Sequence, residues 1–245
     1  MAVCFWYVVI ILWWNSLALH QLWGELQTSV ATGSNCWGEA FGLDSSDVFA
    51  SMYKEDSTIL RFLHGMHSFS KLSAQAVLSK FDLSAFRTLV DLGGATGALA
   101  TAGCGLYPQM RVVVVDLPHV ISKATQHFAT SPEAQRVQDR ISWVAGDFFS
   151  SEQQLPAGDL YVLSRVLHDW EDARCAKLLR TVYQSLPVGE CIHCLSQTTA
   201  CMASDRCLHA FTAVRLNRTV RLFSLGCASC CRIRPLATQQ LTTVN

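Results

Sequence analysis

Val90-Asp91-Leu92-Gly93-Gly94-Ala95-Thr96-Gly97 reads as a buried strand running straight into a glycine-rich turn and then a helix. Thr88-Leu89-Val90 is apolar and β-branched, as a central parallel strand covered on both faces requires. Gly93, Gly94 and Gly97 carry no Cβ, so the main chain can bend sharply and come close to a ligand. Ala98-Leu99-Ala100 then opens a helix whose first N–H groups face that ligand. A nucleotide-like cofactor is the guest that such a turn fits.

Outward from this turn, strands and helices alternate. The first strand ends at Asp91, and a helix follows from Thr96 to Leu106. Val112–Asp116 is a second strand, ended by Leu117-Pro118, with a helix over 120–128 after it. Ile141–Ala145 and Asp159–Leu163 read as strands three and four, and Asp172 begins a helix reaching Leu186. This alternation predicts an α/β fold, a doubly wound parallel sheet that binds ligands at the carboxyl ends of its strands. Upstream, a helix over 57–80 carries Ile59, Leu60, Phe62, Leu63, Met66, Phe69, Leu72, Ala76 and Val77 mostly at steps of three and four. Ser45 or Ser46 can cap a short helix over 48–53, whereas Trp23 to Trp37 has apolar positions without strong period. His64 and His67 form a lone pair on the long helix and read as surface or pocket-lining residues; no metal is expected there.

Composition divides the 245 residues into unlike segments. The net charge is zero, which gives no reason to expect nucleic acid. Met1 to Tyr53 holds no Lys or Arg, and Ala2 to Trp14 is wholly apolar, with the run reaching Leu19. Residues 2–19 are at the short edge of what a membrane contact or span needs, about 20 residues. The basic start and the clean cleavage site of an export signal are missing. Seven of the eleven cysteines follow Gly189, irregularly spaced, while the middle has only Cys104 and Cys175, as in a cytoplasmic enzyme. The expected organisation is an apolar segment over 1–21, a helical, pocket-lining lead-in over 22–86, a cofactor-binding core over 87–189 and a divergent, disordered Cys-rich tail over 190–245.

Three acids, Asp91, Asp116 and Asp147, fall at the ends of successive strands, on one rim of a parallel sheet. Asp116 lies roughly twenty residues beyond the glycine turn, where a carboxylate accepts ribose hydroxyls. A nicotinamide enzyme shares that much, but its fingerprint is G-x-G-x-x-G and this turn is D-x-G-G-x-x-G. Gly146-Asp147-Phe148 adds a carboxylate for an adenine amino group with a ring beside it, as a methyl-donor site requires. Arg165-Val166-Leu167-His168-Asp169-Trp170 puts an imidazole, a carboxylate and an indole on the same rim. His168 stands where a general base belongs, since an imidazole is the side chain suited to taking a hydroxyl proton near neutrality.

Leu89-Val90-Asp91-Leu92-Gly93-Gly94, Val115-Asp116-Leu117-Pro118-His119-Val120, Gly146-Asp147-Phe148-Phe149 and Arg165-Val166-Leu167-His168-Asp169-Trp170, in this order, resemble the class I S-adenosylmethionine-dependent O-methyltransferases of the caffeate/hydroxyindole type. Phe62–Ser68 and Phe81–Ser84 resemble them too, and the likeness covers residues 22–189. The resemblance implies a Rossmann-like core, S-adenosyl-L-methionine as cofactor, and methylation of a hydroxyl on a small aromatic such as N-acetylserotonin. By the same resemblance His168 is the catalytic base. Tyr53, Asp91 and Gly93 line the cofactor site, Asp116 holds the ribose, Gly146, Asp147 and Phe148 frame the adenine, and Arg165 contacts the amino-acid end. Met66 and Trp170 are expected on the substrate side. A pocket-wall Trp of the family is Ser70 here.

The chain departs from that pattern at both ends. The family's N-terminal dimerisation domain, which makes its members homodimers, is replaced by the apolar stretch over 1–19. After Leu186-Pro187-Val188-Gly189 no counterpart appears for the carboxylate that orients the base or for the acceptor-binding Asn, and the sheet is expected to be incomplete at its C-terminal edge. One alternative is therefore a variant that binds the cofactor or a partner without turnover. A further one, a membrane-tethered zinc protein, would use Cys191-Ile192-His193-Cys194 and Cys227-Ala228-Ser229-Cys230.

Overall fold

Leu89, Val90 and Leu92 in one strand and Val112, Val114 and Val115 in the next are sealed from solvent, as expected where helices cover both faces of a sheet. The computed structural model describes residues 17–34, 36–41, 56–80, 82–150, 154–170, 172–185, 213–216 and 219–222. Tyr53, the helix expected over 48–53, the apolar run over 1–16 and both C-x-x-C pairs lie outside these residues. The chain divides into two compact units, residues 1–74 and 75–245.

The first unit holds α1 (Leu17–Gly24), α2 (Leu26–Thr32), α3 (Trp37–Phe41) and most of α4 (Asp56–Leu78). The helices over 17–41 fall largely within the lead-in expected to be helical over 22–86, but their bounds carry no periodic mark in the sequence. They are short, and α2 buries none of its residues, so no apolar stripe marks it in the sequence. Gly33 ends α2 in the left-handed conformation, with its N–H donating to the Ser29 carbonyl at 2.9 Å. Helix α4 seals Ile59, Leu63, Ala74 and Leu78, while Ala76, part of the expected apolar stripe, is exposed.

The second unit carries β1 (Thr88–Leu92), α5 (Ala98–Leu106), β2 (Arg111–Asp116), α6 (Pro118–His127), α7 (Pro132–Gln135), β3 (Ile141–Ala145), β4 (Leu160–Val162) and α8 (Asp172–Ser185). Its sheet has the order β3-β2-β1-β4, every neighbour parallel, as the alternation predicts. Asp91 is level with Val114 on one side and Val162 on the other, and Asp116 is level with Ala145. Asp159 pins the start of β1: its Oδ2 accepts from the Arg87 amide at 2.7 Å and its Oδ1 from the Thr88 amide at 2.8 Å. Pro118 opens α6 two residues earlier than expected, since a proline at the first helical position loses no hydrogen bond. Helix α8 packs through Cys175, Leu178 and Val182, three and four residues apart, with Leu178 and Val182 joining Val90, Leu92, Tyr161 and Leu163 in one core cluster. In the tail, β5 (Ala213–Leu216) and β6 (Thr219–Leu222) pair antiparallel, a local order that the composition does not announce. Among the described residues no helix is long and apolar enough to cross a membrane.

Candidate active site

In the order β3-β2-β1-β4 the chain runs outward on one side of β1 and then returns to its other side, so the strand order reverses between β1 and β4. A crevice opens beyond the carboxyl ends of strands at such a reversal. Three loops meet there. Gly93, just after β1, has φ +71°, and a Cβ on it would stand 2.7 Å from Val166 Cγ2 and 3.8 Å from Phe148 Cε1. Val166 follows β4 and Phe148 follows β3, so only a glycine lets the three loops close on one another. The sheet ladder continues into them: Gly93 N–H donates to the Val115 carbonyl and Gly146 N–H to the Asp116 carbonyl, both at 2.8 Å.

The three rim acids are not equivalent. Asp91 is 1% exposed, and neither carboxylate oxygen has a hydrogen-bond partner among the described residues. Gly94 covers it so closely that a Cβ there would lie 2.7 Å from Asp91 Oδ2. Burial, reinforced by the Asp116 charge, pushes the Asp91 carboxyl up to about 7. Asp116 is half-buried; its Oδ2 accepts from the Ala95 amide at 2.9 Å and its Oδ1 from the Leu117 amide at 2.8 Å. Burial lifts it to about 6, against the pull of those two donors. The Ala95 bond holds a non-glycine residue at φ +46°, a sparsely populated conformation that the surroundings must enforce. Each Asp116 oxygen keeps a second lone-pair direction for a ligand hydroxyl. Asp147 is exposed, and its Oδ1 accepts from the Phe149 amide at 2.8 Å, fixing the turn that presents Phe148.

The loop after β4 begins at Arg165, which has φ +60°. Its guanidinium is partly buried, which lowers its affinity for the proton, and the Asp169 charge opposes that shift. His168 and Asp169 share a tight 3₁₀ turn, Leu167–Asp169, and His168 Nε2 lies 3.1 Å from Asp169 Oδ1, with each side chain about a third exposed. The sequence places the Asp169 carboxylate on the same rim as His168; their contact is visible only in the structure. Adjacent side chains point apart in a strand, but a tight turn lets them meet. Trp170 packs on Phe149, ring centroids 4.8 Å apart and edge-on, and Phe149 on Phe148 at 4.9 Å. The sequence reading missed Arg174 and Lys177 of α8. The Arg174 guanidinium stacks over the Phe149 and Trp170 rings, and Lys177 Nζ donates to the Phe149 carbonyl at 2.9 Å.

The second unit thus gathers Asp91, Gly93, Asp116, Gly146, Asp147, Phe148, Arg165, His168 and Trp170 on the carboxyl-end rim. Met66 is half-buried on α4 within the first unit. Among the described residues no cluster of His, Cys, Asp and Glu could hold a metal ion.

Known proteins are similar to this chain in sequence and fold. Bos taurus acetylserotonin O-methyltransferase is 42% identical over 170 residues, which cover 69% of this chain and 47% of the relative. Homo sapiens acetylserotonin O-methyltransferase is 38% identical over 170 residues, with the same two shares. The crystal structure of human N-acetylserotonin methyltransferase in complex with SAM superposes with a TM-score of 0.68 at 34% identity, covering 76% of this chain and 51% of that one. The chain spans about half the length of the curated relatives it matches. The profile of the O-methyltransferase domain family matches residues 23–211, and this chain belongs to that family.

Proposed function

We propose that the chain is an S-adenosyl-L-methionine-dependent O-methyltransferase that methylates a hydroxyl of a small aromatic, a hydroxyindole such as N-acetylserotonin. The observation that carries this reading is the meeting of three loops at Gly93, with the Asp91 and Asp116 carboxylates under the glycine turn and His168 on the loop facing it. The residues present fit the cofactor. Asp91, sealed and without a hydrogen-bond donor among the described residues, lacks a partner for its charge, and a bound sulfonium or ammonium would favour its ionised form. Asp116 keeps lone pairs for ribose hydroxyls, Gly146 and Asp147 face the adenine edge, Phe148 covers its ring, and Arg165 serves the carboxylate end. Trp170 serves the acceptor side. When bound, S-adenosyl-L-methionine supplies an electrophilic methyl group on sulfur.

The protein's own part is alignment and one proton transfer. With His168 Nε2–H donating to Asp169 Oδ1, Nδ1 is the lone pair that takes the acceptor hydroxyl proton. Asp169 holds the ring and stabilises the imidazolium that results. Val166, buried in the core cluster, and Trp170, packed against it, hold the loop that carries the base. The relatives' names support the acceptor class: Bos taurus and Homo sapiens acetylserotonin O-methyltransferases are 42% and 38% identical to this chain over 170 residues.

Titration calorimetry with S-adenosyl-L-methionine, paired with transfer of labelled methyl to N-acetylserotonin, tests the proposal. Cofactor binding in both wild type and His168→Ala is expected, with turnover in the wild type alone. Binding without His168-dependent turnover would replace the enzyme by a cofactor-binding protein.

A further inference from the structure

Helix α8 grips the adenine-side loop and the base-bearing loop at the same time. Arg174 sets its guanidinium carbon 5.0 Å from the Phe149 ring centroid and 4.6 Å from that of Trp170. These two rings meet edge-on at 4.8 Å, so one cation lies over an aromatic from each loop. One turn further, Lys177 Nζ donates to the Phe149 carbonyl at 2.9 Å. Between them Cys175 Sγ reaches the Leu167 carbonyl at 3.2 Å and the Trp170 carbonyl at 3.5 Å. Phe149 is next to Phe148, and Leu167 and Trp170 bracket His168 and Asp169.

We propose that Arg174 is a positioning residue: it locks the 146–150 loop to the 165–170 loop, so that filling the adenine side sets the place of His168. Arg174 acts through the two rings its guanidinium lies over, Phe149 and Trp170. A cation over two rings suits this task. It attracts both aromatic faces without a directional bond, so the loops can shift together while the contact persists. Lys177 and Cys175 hold main-chain carbonyls of the same two loops, which keeps α8 fixed as the common anchor. The coupling to cofactor rests on the function proposed above; the locking of the loops does not.

Hydrogen exchange on the full chain, read by mass spectrometry, tests both parts. The reporters are the Phe149 and Ser150 amides, bonded to Asp147, and the Asp169 and Trp170 amides, bonded to Val166 and Leu167. Without ligand, Arg174→Ala is expected to speed exchange in both loops together by about five- to tenfold, and Arg174→Lys to restore most of the protection. Helix α6 is the control and stays unchanged. With S-adenosylhomocysteine, the wild type gains protection in both loops, while Arg174→Ala gains it in 146–150 alone. Acceleration of only one loop, of neither, or of α6 as well overturns the lock, as does failure of the Lys variant to restore it. Equal ligand protection of both loops in Arg174→Ala overturns the coupling. If S-adenosylhomocysteine protects neither loop of the wild type, the proposed function fails, and the ligand-free arm still decides the lock.

Discussion

Replacing Asp91 by Asn removes a charge that the fold has sealed away, and the consequence is a change in how stability depends on pH. An ordinary aspartate titrates at 3.8, and burial beside Asp116 brings Asp91 to about 7. Between those values the native protein holds a proton that the unfolded chain has released. Stability is therefore fully present below about pH 4 and is lost as pH rises toward and through about 7. The shift of about 3 units corresponds to roughly 4 kcal/mol in total, of which about 3 kcal/mol falls between pH 5 and pH 8. Asn cannot ionise, so its contribution is flat over the same range. It also buries an amide without a partner, a cost of about 1–3 kcal/mol that does not vary with pH and cancels from the comparison. Urea unfolding of both proteins at pH 5, 6, 7 and 8 measures the difference directly. The gap between the two stabilities should move by about 3 kcal/mol in favour of Asn as pH rises, a relative midpoint shift of about 1 M or more. Parallel profiles would refute the reasoning, because they would mean that Asp91 meets a donor or water that stabilises its charge.

The remaining expectations follow from single contacts. Gly93→Ala meets Val166 Cγ2 at 2.7 Å and a φ of +71°, so it should cost about 1–3 kcal/mol, read as a fall in thermal midpoint, and should weaken binding of S-adenosylhomocysteine in calorimetry. Asp169→Asn should leave cofactor affinity near wild type and lower methyl transfer by ten- to a hundredfold or more, measured as kcat, because the amide no longer holds the charged imidazole; an unchanged kcat would remove Asp169 from the mechanism. Leu163→Ala, at a position with no exposure inside the core cluster, should destabilise by about 2–5 kcal/mol in urea unfolding. Asp159→Ala should loosen the start of β1, with faster exchange of the Arg87 and Thr88 amides and little change at the glycine turn.

The legible parts of this fold are those where local chemistry and burial agree. Val112 to Asp116 and Ile141 to Ala145 read as strands because β-branched and aromatic residues concentrate where a sheet is covered on both faces, and the observed strands differ from that reading by at most one residue at an end. Helix α8 is legible for the complementary reason: Cys175, Leu178 and Val182 recur at helical spacing and all are buried. The lead-in was legible as helical, but the bounds of α1, α2 and α3 were not, since short helices that bury little carry no periodic apolar stripe. The rim was readable as a set of residues, because acids and glycines that end successive strands fall on one edge of any parallel sheet.

The sequence by itself therefore determined the alternation of strand and helix, the glycine turn after β1, and the candidates on the rim, through propensity and spacing that act over a few residues. Only the tertiary structure decided what each candidate is. It distinguished three similar aspartates into a sealed carboxyl, a carboxylate held by two amides and an exposed turn-former, because ionisation answers to desolvation and neighbours that are distant in the chain. It also set β4 beside β1, folded Asp169 onto His168, and brought Arg174 over rings from two loops. Those contacts depend on packing across the molecule, which no local pattern encodes.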